Sequence, residues 1–152
     1  MRAFLLATIV VGFCTSSANA YWQYAKWGMT EGQLLAANQG RVLPCAADVL
    51  ACATKSGDHD PKFFVEGLRM LSHPVTVSFA FDEGGRLAQT VVVFPDTDFA
   101  VVAKMLTGMN GNPVSERSGS RPTAVWRDSQ RGSTITATGN GPSSTAVYRP
   151  TN

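Results

Sequence analysis

Two short stretches of this chain carry residue types that could do chemistry. Asp58-His59-Asp60 places two carboxylates around an imidazole. Oxygen and nitrogen donors of that kind suit a zinc or related ion. Neighbouring residues on one loop rarely converge on one ion, and a catalytic zinc wants three protein ligands in defined geometry. The other histidine, His73, is remote in sequence. The run Ser56-Gly57-Asp58-His59-Asp60-Pro61 reads as a solvated loop, because Asp, Gly and Pro are ordinary turn formers. No metal or other cofactor is expected.

Cys45 and Cys52 form the second stretch. Redox centres of the thioredoxin kind need Cys-X-X-Cys, and this spacing is wider. Lys55 is the close cation, which gives little reason for a lowered thiol pKa. A structural bridge or a pair of buried thiols is the expectation. On one straight helix the two Cα atoms would lie about 10.5 Å apart. A disulfide needs them within about 7 Å, so bridging requires a bend.

Other catalytic patterns are missing. There is no Gly-X-Ser-X-Gly elbow, no P-loop and no dinucleotide fingerprint. Acids such as Glu66, Asp82 and Glu83 are not selected as a glycosidase pair by any pattern. No catalytic residue is assigned, and the chain is expected not to be an enzyme.

Two groups could serve binding instead. Tyr21, Trp22, Tyr24 and Trp27 cluster near the start of the exported chain. They would either form an exposed interface anchor or cover the edge of a small core. Further on, Arg117, Arg121, Arg127, Arg131 and Arg149 outnumber Glu116 and Asp128. Arg127 and Arg131 are the candidate contacts there, for an acidic partner, anionic lipid or lipopolysaccharide. The plainer reading is charge on strand edges that blocks aggregation.

The first twenty residues have the layout of an export signal. Arg2 precedes an apolar run from Ala3 to Phe13, and Ala18-Asn19-Ala20 ends the segment. Small residues at −3 and −1 fit cleavage before Tyr21. The run is too short to span a bilayer, and Phe13 before Cys14 fits a lipoprotein site poorly. Residues 21–152 then form the exported chain, with two cysteines, which suggests one disulfide in an oxidising compartment. The expected location is periplasmic or secreted, with no transmembrane anchor after cleavage. In all, 152 residues with 44% hydrophobic and 16% charged side chains indicate one globular domain. A formal charge of +2 is too weak for a nucleic-acid surface.

These residues need elements to hold them. Thr30 and Gln33 form a capping box, with Met29 and Leu34 as a hydrophobic staple, so a helix is predicted over Glu31–Gln39 with Gly40 at C′. Residues 41–62 admit a strand, a loop or one or two helical turns over Ala46–Thr54. Phe63–Leu71 is ambiguous between strand and helix. Val75, Val77, Phe79 and Phe81 alternate with smaller or polar residues, Asp82-Glu83-Gly84-Gly85 turns the chain, and Leu87–Phe94 returns. Asp96 is a candidate N-cap for a helix carrying Phe99, Val102, Met105, Leu106 and Met109. Val114–Pro122 is polar and flexible in composition. Thr123–Arg127, Ser133–Thr138 and Thr145–Arg149 read as a three-strand meander. The expectation is one α+β domain: helix, β-hairpin, helix, three-strand meander, with two short helices on one face of an antiparallel sheet.

Three motifs in order carry a resemblance. They are Trp27-Gly28-Met29-Thr30, the strand-turn-strand Val77–Asp82 to Gly85–Leu87, and Trp126-Arg127-Asp128. Together they resemble small exported bacterial proteins with a β-lactamase-inhibitor-like half-domain, as in the small lipoprotein of the outer-membrane assembly machine. The similarity covers about residues 22–150. This chain reads as one unit where the inhibitor has two, and it lacks a lipobox. The resemblance implies a binding module of the cell envelope. An envelope protein, or an enzyme that the module inhibits, is the expected partner. A carrier of a small molecule or lipid is the alternative, and would need a large apolar pocket. A hydrolase is a more distant one.

Overall fold

The computed structural model describes residues 24–54 and 59–151. The export signal, Tyr21, Trp22 and Asp58 lie outside the described residues.

Helix α1 (Glu31–Ala37) begins as its sequence dictates. The Thr30 hydroxyl accepts from the Gln33 N–H at 3.3 Å, and the Gln33 side chain accepts from the Thr30 N–H at 2.9 Å. The helix ends two residues before Gln39. Asn38 is the C-cap and Gln39 itself takes the left-handed conformation (φ 51°), so the C′ place expected for Gly40 belongs to Gln39. A two-residue strand β1 (Leu43–Pro44) and a single helical turn α2 (Leu50–Ala53) follow.

Four segments then run antiparallel or cross over: β2 (Pro61–Met70), β3 (His73–Phe81), β4 (Leu87–Phe94) and the helix α3 (Phe99–Asn110). Asp98, not Asp96, is the N-cap of α3. Asp96 sits at φ 50° in the preceding turn, one of three non-glycine residues in the left-handed region among the described residues. The chain closes with β5 (Ser115–Arg117), β6 (Thr123–Asp128), β7 (Ser133–Asn140) and β8 (Ser143–Pro150).

All eight strands form one antiparallel sheet in the order β1-β2-β3-β4-β8-β7-β6-β5. Read inward from either edge, the strands are consecutive, and the two runs meet at the β4–β8 pair. Each half begins with a helix, α1 or α3, although the sequence has no internal repeat.

The predicted α+β class with an antiparallel sheet is present, but the expected order omitted three strands and one helix. The ambiguous Phe63–Leu71 is strand. Its alternation is broken by a register shift between Val65 and Leu68, where Gly67 has φ 70°. Within the stretch that reads as flexible, residues 115–117 pair with β6. The helices are not all on one side. Leu34 of α1 and Val102, Met105 and Leu106 of α3 pack with Val77, Phe79, Val92, Phe94, Trp126, Ile135 and Tyr148 on what we term the front. Ala51 of α2 packs with Val91, Val93 and Val147, which alternate to the back.

The front is a filled layer. Trp126, Tyr148, Phe79, Phe94, Leu34 and Leu106 are all fully buried there. Gly139 of β7 faces α3 so closely that a Cβ would lie 2.9 Å from Phe99 Cβ, which fixes glycine at this crossing.

Candidate functional site

Strand register sorts the second half of the sheet into two faces. On β7, Ser133, Ile135, Ala137 and Gly139 are buried toward the front, while Thr134, Thr136 and Thr138 are half-exposed on the back. Thr138 pairs with Thr123 on one side and Thr145 on the other. Thr136 pairs with Val125 and Val147, and Thr134 with Arg127 and Arg149. Ser115 and Arg117 of β5 extend the first two of these rows, opposite Val125 and Thr123 respectively.

The result is a lattice of hydroxyls and methyls, with Val125–Thr136–Val147 as its central row, of which Val125 and Thr136 are half-exposed and Val147 is buried. Arg127 and Arg149 root in one row, two strand spacings or about 10 Å apart. Arg149 Nε donates to Gln89 Oε1 at 3.1 Å, which anchors that guanidinium against β4. Arg117 and Arg127 are exposed.

The two acids of these strands alternate away from this face. Glu116 pairs with Ala124, and Asp128 pairs with Ser133, both in the front-facing register. Asp128 accepts from the Arg131 backbone and pairs with its guanidinium, each at 3.0 Å. Arg131 is therefore tied into the β6–β7 turn, while Arg127 belongs to the back lattice.

The cover on the back stops short of this region. Cys45 and Cys52 are bridged, with Cα atoms 5.6 Å apart, because the chain bends between them as a bridge requires. The closed loop presses Val49 and Ala51 onto Val91, Val93 and Val147. Ser78 Oγ of β3 donates to the Ala51 carbonyl at 2.8 Å, fastening α2 from below. Strands β5, β6 and β7 have no helix on this side among the described residues.

Of the aromatic candidates, Tyr24 and Trp27 are partly buried against the front core. Trp27 Nε1 donates to Ser133 Oγ at 3.0 Å, so the N-terminal segment is pinned to β7 from the front. Burial pushes the Tyr24 phenol above its usual pKa, partly offset by nearby Arg41. Trp27 and Arg127 thus lie on opposite faces of the sheet and do not form one patch.

Apart from the bridged cysteines, the described residues read for chemistry are not assembled. His59 borders a shallow groove with Asp82, Glu83 and Gly84. Asp82 is engaged in the β3–β4 turn, accepting from the Arg86 N–H at 2.8 Å. Among the described residues no group of three or more His, Cys, Asp or Glu could hold a metal ion. Ser78, Ser133 and Ser144 donate to the carbonyls of Ala51, Arg131 and Thr97, respectively, which are structural bonds. No helix among the described residues is long and apolar enough to cross a membrane.

Sequence reasoning found Arg127 and missed the threonines beside it. The signal was present in Thr134, Thr136 and Thr138, spaced by two with Ile135 and Ala137 between them. It became a surface only once register placed Thr123, Val125, Thr145 and Arg149 alongside. No family model, curated protein or solved structure matches the chain.

Proposed function

We propose that this chain is an exported binding module that does no covalent chemistry and engages a protein of the bacterial envelope through the back of β5–β7. One observation carries the reading: among the described residues, a single sheet face is sealed over its first half and left bare over its second. Bare β-faces of ordered, regularly spaced side chains are good interaction platforms, because little conformational entropy remains to be lost on docking. Large, fully buried side chains pack the front layer among the described residues, which favours a surface over a pocket.

Export is part of the proposal and rests on the first twenty residues. The intact mass of the protein from an envelope fraction should begin at Tyr21, and a mass that retains residues 1–20 would refute cleavage there.

The binding reading is tested by capture from native envelope extract with two baits, the wild-type protein and Thr136→Trp. The substitution puts bulk at the centre of the bare face. A protein held in stoichiometric amount by wild type and lost by the variant supports the reading. Identical sets on both baits, or no stoichiometric protein, overturn it.

A further inference from the structure

We propose that the bare back of β5–β7 docks an acidic protein surface, its arginines meeting carboxylates around a drier centre. This rests on the binding-module reading and adds the chemistry of the partner.

The charge on this face has one sign. Arg117, Arg127 and Arg149 share the back register, and the acids of the same strands, Glu116 and Asp128, point to the front. On this side of the sheet Asp48 belongs to the disulfide-closed loop that covers the other half. Three cations rooted at fixed strand positions create a potential that attracts and orients an anionic partner.

The kind of anion follows from the rest of the face. In the central row Val125 and Thr136 offer half-exposed methyl groups beside Val147, which the disulfide-closed loop covers, and the arginines lie on the rows to either side. A drier centre with a polar, charged rim is the anatomy of protein–protein interfaces. A bilayer surface would instead call for an apolar anchor among the cations. The back-facing residues of β5–β8 are threonine, serine, valine, arginine and one asparagine, Asn140. None is an aromatic on which a sugar ring could stack. All three cations are arginine, whose planar fork pairs with a carboxylate through two parallel bonds, as lysine cannot.

The test uses purified exported protein and three immobilised probes: poly-L-glutamate, heparin and phosphatidylglycerol vesicles. Wild type should bind poly-L-glutamate best, and the affinity should fall as salt rises. The double variant Arg117→Glu/Arg127→Glu should bind about tenfold more weakly. Lys26→Glu/Lys104→Glu makes the same change in net charge at exposed positions away from the face. It should stay within about twofold of wild type. All four positions are exposed, and unchanged melting temperatures confirm that the variants fold. Equal weakening by both variants reduces the effect to net charge and overturns the proposal. Tighter binding to heparin or to the vesicles assigns the face to a glycan or a membrane and also overturns it, as does failure to bind poly-L-glutamate. If any of these occurs while Thr136→Trp still abolishes capture of an envelope protein, the binding module stands and only the acidic partner falls.

Discussion

Strands β4 and β7 lie two positions apart in one sheet, yet they are packed differently. In β4 every residue but Ala88 is buried, on both faces. In β7 burial strictly alternates from Ser133 to Gly139. The sequences show why. The Val91-Val92-Val93-Phe94 run of β4 can be satisfied only by cover on both sides. Ser-Thr-Ile-Thr-Ala-Thr in β7 needs cover on one. The front core is common property of both halves. The back is where they diverge, because among the described residues one half has a disulfide-closed helical turn and the other has none. A sheet can thus be held by one shared layer and still leave part of its second face for another molecule.

The largest effect should come from the shared layer. Trp126→Ala, at a fully buried position of the second half, should lower unfolding stability by about 3–5 kcal/mol. Denaturant titration should show one transition shifted as a whole, since the front core runs across both halves. Two separate transitions would mean that the halves are independent units and that the comparison concerns two domains.

The cover on the first half comes next. Cys45→Ala/Cys52→Ala opens a short loop, for which chain entropy alone predicts a loss of about 2 kcal/mol. With α2 released, Val91, Val93 and Val147 become accessible, so the variant should bind an apolar dye that wild type does not. A variant with wild-type stability and no dye binding would show that Val49 and Ala51 hold the turn without the bridge. Ser78→Ala tests the same cover more finely. It leaves the buried Ala51 carbonyl without its hydroxyl partner and should cost about 1 kcal/mol. No change in the denaturation midpoint would show that this bond is replaced by solvent.

How much of this could be read beforehand follows the same division. The capping box at Thr30, the β3–β4 hairpin, helix α3 and the last three strands obey local rules, and each forms close to where its residues indicate. Strand β2 was obscured because Gly67 and the register shift beside it break the alternation that marks a strand. Strand β5 is three exposed polar residues and exists only because Val125 and its neighbours offer an edge to pair with. Sequence constrained the disulfide by geometry, but the side of the sheet on which the loop would land is a tertiary fact. The candidate face shows the same limit. Arg127 stood out by charge, and Arg131 looked equivalent to it. Arg127 lies within β6 on the bare face, whereas Arg131 lies in the turn beyond the strand and is consumed there by one carboxylate, Asp128.

The smallest predicted effect bears most directly on the bare face. Thr136 sits at its centre, half-exposed and flanked by Val125 and Val147. Thr136→Val keeps the shape and removes the hydroxyl. On a face open to water that hydroxyl has solvent as its partner, so the change should stay within about 0.5 kcal/mol. The contrast with Ser78→Ala is the point, since both remove a hydroxyl from the back of the same sheet. Unfolding should be measured at two protein concentrations about a hundredfold apart. A loss comparable to that of Ser78→Ala, growing with concentration, would mean that this face is already covered by a second copy of the chain. Stability gained by concentration scales with the logarithm of its ratio to the dissociation constant. A near-zero effect at both concentrations leaves the second half bare in solution, with its threonines hydrated until a partner displaces the water.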